Sequence, residues 1–578
     1  MINTNNAECL VDLIVTTNVA EKLKCESNKY STLTLTQRQL CDLELLMNGA
    51  FTPLKGFMGK ADYDSVLNDL HLSDGTLWPI PITLDVNDKF LSGIKSGDKV
   101  SLRDCEGFML AVLTVEDIWQ PDKINEAKKV YGTDSILHPG VRYLFENVSN
   151  NYISGKIEGI QLPVHYDFEN LWDTPKELRT LFSKMGWKRV VSFQTSKPVH
   201  KMQREVTLQV AKEIRANLLI HPAVGMTKPG DIHYCARVHC YQAALKYYPH
   251  HLAILSLLPI AMRMAGPREA LWHAIINQNY GCTHMIIGPK HAYPRKENDA
   301  SDFYQPGMSG QFINEFENEL SIEVIQMEEM RYSLAKRSFL PISEINAANL
   351  ESTVYTDVKL KEDLVHNKEI PAWFSFPEVV NELRKVYPSR NKGGFTLFFT
   401  GLSGSGKSTL ANIIYAKLVE SGSRPVTLLD GDVVRLNLSS ELGFSKEHRD
   451  INVKRIGFVA SEITKNKGIA ICAPIAPYRN TRRIVRDLIE QHGSFIEVHV
   501  ATPLETCETR DRKGLYAKAR QGIIPEFTGI SDPYDLPDSP EIRIDTSLLT
   551  PMEAAQEIYL YLLREGFIDY CSDDVQCH

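Results

Sequence analysis

The segment from Phe395 to Leu410, FTLFFTGLSGSGKSTL, contains the residues of this chain whose chemistry is easiest to recognise. It consists of an apolar run, a glycine-rich loop and the start of an apolar helix. The loop follows the pattern G-x-x-x-x-G-K-[ST] at every defined position. Its residues are Gly401, Leu402, Ser403, Gly404, Ser405, Gly406, Lys407 and Ser408, followed by Thr409. We expect these residues to bind the phosphate groups of ATP.

The residue types of the loop explain why it suits a phosphate. Glycines adopt backbone angles that other residues avoid, so that successive N–H groups can point at phosphate oxygens beside the positive end of a helix. Lys407 is expected to neutralise the β- and γ-phosphates, and Ser408 to reach a bound Mg²⁺. A chance glycine turn is the alternative, and the flanking strand and helix patterns argue against it.

A second acidic motif follows the loop along the chain. The apolar run Val426 to Asp430 is read as a strand, and it ends in Asp430-Gly-Asp432. Carboxylates at a strand end beside a phosphate loop suit Mg²⁺ binding or activation of a hydroxyl group. An ordinary turn is the alternative interpretation of this tripeptide.

The composition excludes several classes of protein. The net charge of −8 argues against a protein that binds nucleic acid polymers. The 11 cysteines contain no C-x-x-C pair, which favours reduced thiols over a disulfide framework or a zinc site. The apolar run from Leu252 to Met262 is too short to span a bilayer. We therefore expect a soluble, cytoplasmic protein with no membrane partner.

The pattern of the elements predicts three α/β or β-rich domains. Residues 1–170 contain short alternating runs typical of a mostly β domain. In residues 171–390 strand-like runs alternate with helices predicted at 205–217, 241–247 and 268–277, which indicates a parallel sheet covered by helices. The stretch YPSRNKGG then reads as a linker, and residues 391–578 form a further α/β domain.

Longer stretches of the chain resemble two known families in tandem. Residues 1 to about 390 resemble ATP sulfurylase (sulfate adenylyltransferase) in FTPLKGFMGKADYDSV, DGTLWPIPITLDV, HPAVGMTKPGDI, MRMAGPREALWHAI and NYGCTHMIIG. The remainder resembles adenylylsulfate (APS) kinase in GLSGSGKSTL, LLDGDVVR, LGFSKEHRDIN, APIAPYR, KGLYAKAR and FTGISDPY. The order is that of bifunctional fusion proteins. The resemblance implies a β-rich PUA-like domain, a Rossmann-like nucleotidyltransferase domain with a small C-terminal subdomain, and a P-loop kinase domain.

For the second part, the resemblance implies a kinase that uses ATP and Mg²⁺. Lys407, Asp430 and Asp432 are the implied catalytic residues: Asp430 takes the proton of the substrate 3′-hydroxyl, and Asp432, with Ser408, supports the metal. The implied APS-binding residues are Arg435, Phe444, Arg449, Asn452, Pro477, Tyr478, Lys513, Gly514, Leu515 and Phe527. Arginine forks suit the phosphosulfate dianion, and the two phenylalanines are expected to stack on adenine rings, with core packing as the alternative.

Two further features concern this kinase-like part. Residues 511–534 resemble a lid that closes over both nucleotides, with Lys513, Lys518 and Arg520 offsetting phosphate charge. Ala476 stands where many family members carry a serine that can be phosphorylated, which excludes a phosphoserine there.

The first part departs from the sulfurylase pattern in its two active loops. The family's Q-[TN]-R-N-P-x-H-x-x-H is here QTSKPVHKMQ: Gln194 and His200 survive, but Ser196 replaces arginine and Gln203 replaces the second histidine. The family's G-R-D-H-A-G-P is here GPKHAYP. His291 survives, but Pro289, Lys290 and Tyr293 replace arginine, aspartate and glycine.

These replacements remove the charges that sulfate adenylylation needs. The reaction joins two anions at an α-phosphate, so its transition state requires cationic or hydrogen-bonding groups there. We expect Gln194, Ser196, His200, Gln203, Lys290 and His291 to form a degenerate site. A pseudoenzyme domain is the favoured interpretation; a site repurposed for another anion through Lys197, Lys201 and Lys290, or ordinary sulfurylase activity, are the alternatives.

Together these observations predict an APS kinase that makes 3′-phosphoadenylyl sulfate (PAPS), with ATP and APS as its small-molecule substrates, in a homo-oligomer. The competing interpretation of the second part is a kinase-like domain that only senses the product nucleotide, as in some fungal sulfurylases. Those domains lack an intact phosphate loop, whereas Lys407, Ser408, Asp430 and Asp432 are all present here.

Overall fold

The computed structural model describes residues 10–228, 231–294, 303–422, 424–443, 445–511 and 514–569, with only the backbone of Asp432. The chain divides into two compact units. The first comprises Met1–Thr356 and Ile370–Leu383, and the second comprises Asp357–Glu369 and Arg384–His578. In the described ranges, no helix combines the length and the apolar character required to cross a membrane.

The first unit begins with a β-rich region built on a five-stranded sheet of order β1-β3-β4-β5-β2. Its pairs are antiparallel except β1 with β3. The strands are β1 Ser31–Thr34, β2 Leu84–Val86, β3 Lys99–Arg103, β4 Met109–Trp119 and β5 Asn151–Gly159. The helices of this region are α1 Thr17–Glu26, α2 Gln37–Met47, α3 Lys60–Asp69, α4 Asp88–Leu91, α5 Lys123–Tyr131 and α6 Pro139–Glu146, besides a short 3-10 helix, Ser27–Lys29.

The predicted parallel sheet follows, in the order β10-β9-β6-β7-β8. All its pairs are parallel, as the alternation of strands and helices predicts. The strands are β6 Val190–Phe193, β7 Asn217–Ile220, β8 Ala253–Leu255, β9 His284–Ile287 and β10 Glu323–Gln326. The helices are α7 Pro175–Lys184, α8 Lys201–Glu213, α9 Tyr234–Leu245, α10 Pro267–Asn279 and α11 Met308–Asn314, with the 3-10 helix Glu169–Leu171.

Helix α8 begins four residues earlier than the sequence predicts, at Lys201 rather than 205. His200 and Gln203 cap its first turn: the Gln203 side chain accepts a hydrogen bond from the His200 backbone N–H at 3.0 Å. Such a cap satisfies an N–H that the helix itself leaves unpaired, and this explains the earlier start.

One hydrophobic core contains residues of both five-stranded sheets of the first unit. The Phe51 ring lies 5.7 Å from that of Trp78, in the β-rich region, and 5.2 Å from that of Trp272, on α10. A three-stranded antiparallel sheet of order β12-β11-β13 completes this unit. Its elements are β11 Met330–Ser333, β12 Ser338–Pro341, α12 Ile342–Ala347 and β13 Ser352–Thr353.

The second unit is a five-stranded parallel sheet of order β15-β16-β14-β17-β18. The strands are β14 Phe395–Thr400, β15 Val426–Asp430, β16 Ile469–Ala473, β17 Ser494–Val500 and β18 Ile542–Ile544. The helices from the end of the first unit onward are α13 Asp357–Val365, α14 Pro377–Val386, α15 Lys407–Glu420, α16 Gly431–Leu438, α17 Lys446–Lys465, α18 Arg479–Glu490, α19 Leu504–Thr509, α20 Leu515–Arg520 and α21 Pro551–Arg564.

Strand β14 lies at the centre of this sheet and is buried along its whole length. Its alternate side chains enter different cores: Phe395, Leu397 and Phe399 pack in the core that contains α15 and α21, and Phe398 in the core that contains α17 and α18. The glycine-rich loop thus leaves the carboxyl end of a fully buried strand, at the point where the strand order changes direction, which is where such sheets bind ligands.

Candidate functional site

The glycine-rich loop connects β14 to α15 and depends on its glycines. Gly406 immediately precedes α15 with φ of 102°, and Gly401 has φ of 150°. A Cβ atom on Gly401 would lie 2.6 Å from the Val500 carbonyl oxygen, a distance that no side chain tolerates. The loop conformation therefore requires glycine at these positions.

The Lys407 side chain lies against this loop and is only 7% exposed. Its Nζ donates to the Leu402 carbonyl at 2.6 Å and lies 3.5 Å from Oγ of Ser405. The ammonium group is thus placed at the loop's own carbonyls. Lysine carries a compact charge on a flexible stem, so a phosphate that enters the loop can draw it from these contacts.

Threonine, arginine and tyrosine side chains hold the glycine-rich loop through hydrogen bonds. The Ser405 carbonyl accepts hydrogen bonds from the hydroxyls of Thr502 at 3.0 Å and Thr546 at 2.9 Å. Arg510 in turn donates to Oγ1 and to the carbonyl of Thr546, both at 2.8 Å. Tyr516, on α20, donates its hydroxyl to the Ser403 carbonyl at 2.9 Å. The loop is therefore held in shape by the protein itself, which lowers the ordering cost of binding.

The acidic motif lies at the carboxyl end of β15. Asp430 is half-buried and is the last residue of that strand, where it pairs with Ala473 in the register of β16. Asp432 lies in α16, and its side chain is outside what the structure describes. Ser408 is an exposed residue in the first turn of α15. Hydroxyl and carboxylate oxygens are the ligands that Mg²⁺ takes, usually only one or two from the protein, so these residue types fit that ion.

A buried polar cluster surrounds Arg449 and Asn452 on α17. Arg449 Nη1 donates to Oγ1 of Thr528 at 2.6 Å and lies 3.0 Å from Oδ2 of Asp532. Its Nε and Nη2 are buried, and no described residue pairs with them. The same holds for Oδ1 of Asn452. Buried polar atoms without partners are rare in proteins, so this cluster is suited to a ligand that supplies the partners.

Two of the other predicted APS-binding residues, Arg435 and Phe527, make contacts within the protein. Arg435 Nη1 donates to the carbonyls of Leu442 at 3.2 Å and Gly443 at 2.8 Å. Phe527 is half-buried and packs edge-on against Tyr516, with ring centroids 5.0 Å apart. Phe444 and Lys513 lie outside the described residues.

Pro477 and Tyr478 are buried just before α18, and Gly514 and Leu515 are half-buried at the start of α20. Burial raises the pKa of Tyr478, as does the hydrogen bond from its hydroxyl to Asp532. Sequence reasoning missed Asp532, Thr528 and Tyr516 as site residues. Two of them lie in FTGISDPY, which carries the family resemblance, but only the fold brings them to Arg449 and the glycine-rich loop.

In the first unit, the structure places the residues of the first sulfurylase-like loop after β6. Gln194 is buried, and its Oε1 accepts from Nδ2 of Asn277 at 2.8 Å while no described residue pairs with its Nε2. His200 Nδ1 lies 2.8 Å from the Ser375 hydroxyl. Ser196 is half-buried, and its carbonyl accepts from Arg237 at 3.0 Å.

The second sulfurylase-like loop follows β9. Nε2 of His291 lies 2.9 Å from Nδ1 of His273, whose Nε2 lies 3.4 Å from the Glu269 carboxylate. Burial lowers the pKa of His291 well below its ordinary value, and the nearby charges of His273 and Lys228 lower it further. Lys290 is exposed, and Tyr293 is buried with its hydroxyl donated to the Gln305 carbonyl at 2.6 Å.

Three family models match successive regions of this chain. The family model described as PUA-like domain matches residues 3–162, the ATP-sulfurylase model residues 169–386, and the adenylylsulphate kinase model residues 393–545. The matches confirm the fold class that the sequence predicts, with a PUA-like region, a sulfurylase region and a P-loop kinase region.

Whole-chain relatives cover nearly the full sequence. The chain is 46% identical to the sulfate adenylyltransferase of Gibberella zeae, over 98% of this chain and 100% of that protein. It is 45% identical to the sulfate adenylyltransferase of Neurospora crassa, over 95% of this chain and 96% of that protein.

A solved structure is similar along the same length. It is described as "Hexameric APS kinase from Thiobacillus denitrificans", is 39% identical, covers 98% of this chain and 99% of its own, and superposes with a TM-score of 0.80. Both the domain models and the full-length relatives thus give one result. The chain belongs to the family of fused ATP sulfurylase and adenylylsulfate kinase proteins.

Proposed function

We propose that this protein is an adenylylsulfate kinase that transfers the γ-phosphate of ATP to the 3′-hydroxyl of APS and releases PAPS and ADP. The observation that carries the proposal is the pairing, in one unit, of a preformed phosphate loop around Lys407 with the unpaired, buried polar atoms of Arg449 and Asn452. The first feature suits the phosphates of ATP, and the second suits an anionic acceptor nucleotide.

The residues of the chain take separate parts in this transfer. Asp430 accepts the proton of the 3′-hydroxyl, whose oxygen bonds to the γ-phosphorus while the bond from that phosphorus to the bridging oxygen of ADP breaks. Lys407 and the loop N–H groups hold the phosphates in line and offset their charge. A bound Mg²⁺, which we propose is held by Ser408 and Asp432, supplies positive charge to the phosphate oxygens. Arg449, Asn452 and Arg435 bind APS.

The test is product formation by the purified full-length protein. ATP, MgCl₂ and APS should yield PAPS and ADP, and Lys407→Ala should remove the activity. Lys417→Ala is the matched control, because Lys417 lies on the same helix but bonds to Gln556 at 2.8 Å on the surface. Absence of PAPS with the wild-type protein would overturn the kinase assignment and leave a nucleotide-sensing domain as the explanation.

For the first unit, we propose that the sulfurylase-like region has little activity with sulfate. Gln203, where the family has histidine, is engaged in capping α8 through His200. Ser196 is too short to replace an arginine that binds an anion, and Tyr293 is buried where the family has glycine. Each loss of a group that stabilises transition-state charge costs about 2–4 kcal/mol.

The names of the relatives favour the alternative, a fully bifunctional enzyme that also adenylylates sulfate. An assay with ATP, sulfate and pyrophosphatase separates the two. We expect no APS above background from the wild-type protein, and the variant with Ser196→Arg and Gln203→His tests whether the lost side chains limit the reaction. Robust APS formation by the wild-type protein would establish the bifunctional alternative, and turnover only with another oxyanion would indicate a repurposed site.

We also propose a homo-oligomer, supported by the description of the Thiobacillus denitrificans relative as hexameric. Light scattering on the purified chain should give a mass that is a multiple of 65.4 kDa. A mass of one chain at micromolar concentration would contradict this.

A further inference from the structure

The contacts of the Arg449 guanidinium are unequally distributed over its nitrogens. Nη1 donates to the Thr528 hydroxyl at 2.6 Å and lies 3.0 Å from Oδ2 of Asp532. Nε and Nη2 are buried with no partner among the described residues. These two nitrogens form one edge of the guanidinium, and such an edge binds two oxygens of one anion in parallel.

Asp532 is itself fixed from a second side. Its Oδ2 accepts a hydrogen bond from the Tyr478 hydroxyl at 2.8 Å, and its side chain is only 12% exposed. With Leu402 of the phosphate loop, Asp532 also lines a cleft of about 460 Å³. The Asp532 carboxylate thus contacts Arg449 and also borders the cleft that Leu402 of the phosphate loop lines.

We propose that Asp532 is a positioning residue, which holds Nη1 of Arg449 so that the Nε–Nη2 edge is presented to the phosphosulfate group of APS. The inference rests on the proposed kinase function. A guanidinium held at one nitrogen cannot rotate about its stem, so the side-chain entropy that a flexible arginine would lose on binding APS is already lost in the free protein. The Asp532 charge also compensates Arg449 while no substrate is bound.

The experiment compares three variants of the full-length protein. Asp532→Asn keeps the shape and removes the charge that holds Nη1, and Thr528→Val removes the other partner of Nη1. Asp538→Asn is the matched control, because that aspartate lies in the same part of the chain, is exposed and pairs with Arg479 at 3.0 Å. Two quantities are measured for each: KM and kcat for both substrates, and binding of APS alone by calorimetry.

We expect Asp532→Asn to raise the KM and the calorimetric Kd for APS by about tenfold or more, the usual effect of losing a charged hydrogen bond in a buried place. The KM for ATP should change by less than about twofold, since the contacts of Arg449 among the described residues are to Thr528, Asp532 and Tyr478 and not to the phosphate loop. Thr528→Val should raise the APS constants by a smaller factor, and Asp538→Asn should change neither.

The outcomes separate this inference from the kinase assignment. If the wild-type protein binds APS, and Asp532→Asn weakens that binding without any turnover in either, the inference stands while the kinase assignment falls. Unchanged or tighter APS binding in Asp532→Asn overturns the inference. Such a result would mean that the Asp532 carboxylate does not orient Arg449 for APS, or that its repulsion of the anionic substrate outweighs that orientation. If Asp532→Asn does not fold, Thr528→Val decides alone: APS binding equal to wild type overturns the inference.

Discussion

Nδ1 of His273 lies 2.9 Å from Nε2 of His291, and the opposite nitrogen of His273 lies 3.4 Å from the Glu269 carboxylate. A chain of three side chains thus connects α10 to the loop after β9, where the surviving sulfurylase histidine lies. Both His273 and Glu269 are fully buried, and the low dielectric of the interior strengthens the electrostatic interaction between them.

We predict that Glu269→Gln destabilises the first unit by about 2–4 kcal/mol, because the buried carboxylate accepts from the backbone N–H groups of Arg263 and Ala265, both at 2.8 Å. Glutamine has a single acceptor oxygen and cannot serve both. All six tryptophans lie between residues 78 and 373, so tryptophan fluorescence during denaturant unfolding reports on the first unit alone. Glu323→Gln is the control, since Glu323 is 67% exposed; equal losses in both variants would contradict the prediction.

The same carboxylate gives a pH dependence. Burial raises the pKa of Glu269, but the hydrogen bond and charge of His273 and the two backbone N–H groups outweigh it, so the pKa lies below its ordinary value. The unfolded chain then binds the proton more tightly than the folded one. The stability due to Glu269 is therefore complete above pH 4.5 and lost as the pH falls through the lower folded value. Glu269→Gln should remove this part of the acid transition seen by fluorescence.

A second pH effect involves His221, which is fully buried with Nδ1 3.1 Å from Oδ1 of Asn277. Burial lowers its pKa to about 4 from 6.5. The folded state therefore loses stability as the pH falls from 6.5 toward 4, by up to about 3 kcal/mol for this group alone. His221→Gln should be less stable at pH 8 but show a shallower decline between these values. The free energy of unfolding is measured by fluorescence at several pH values. If its decline between pH 6.5 and 4 is as steep in His221→Gln as in the wild-type protein, His221 is not buried in a neutral form.

In the second unit, we predict that Tyr516→Phe raises the KM for ATP several-fold. Tyr516 is 3% exposed and donates to the Ser403 carbonyl, and without this bond a buried acceptor of the phosphate loop is left unsatisfied at a cost of about 1–3 kcal/mol. PAPS formation at varied ATP measures the effect. Tyr415→Phe is the control, because Tyr415 is a half-buried tyrosine of α15 that packs against the core of the same unit, and it should leave the KM for ATP unchanged.

Gly401→Ala should abolish PAPS formation, since its Cβ would lie 2.6 Å from the Val500 carbonyl oxygen, a backbone atom that cannot move aside. Gly422→Ala also introduces alanine at a positive φ, of 62°, but no described residue other than its chain neighbours lies within 4 Å of the added atom. That variant should cost about 1 kcal/mol of stability and keep its activity. Similar activity of the two variants would show that the loop tolerates displacement of β17.

The sequence by itself determined the fold class of the chain and the position of the glycine-rich loop. Glycine, lysine and serine at fixed spacing after the buried run Phe395–Thr400 can be recognised without a structure, because their function depends on backbone angles and on a helix start that lie within a few residues of one another. The alternation of strands and helices likewise predicted the parallel sheet of the first unit. The start of α8 was missed by four residues because a cap made by His200 and Gln203 extends it.

Only the tertiary structure decided which distant residues meet. Arg449 and Asp532 are more than eighty positions apart in the sequence, and their contact follows from the packing of α17 against the segment after α20. The chain from Glu269 to His291, and the support of Ser405 by Thr502 and Thr546, arise in the same way. Local patterns carry the preferences of neighbouring residues, whereas long-range contacts depend on how the elements pack, and no spacing in the sequence records that packing.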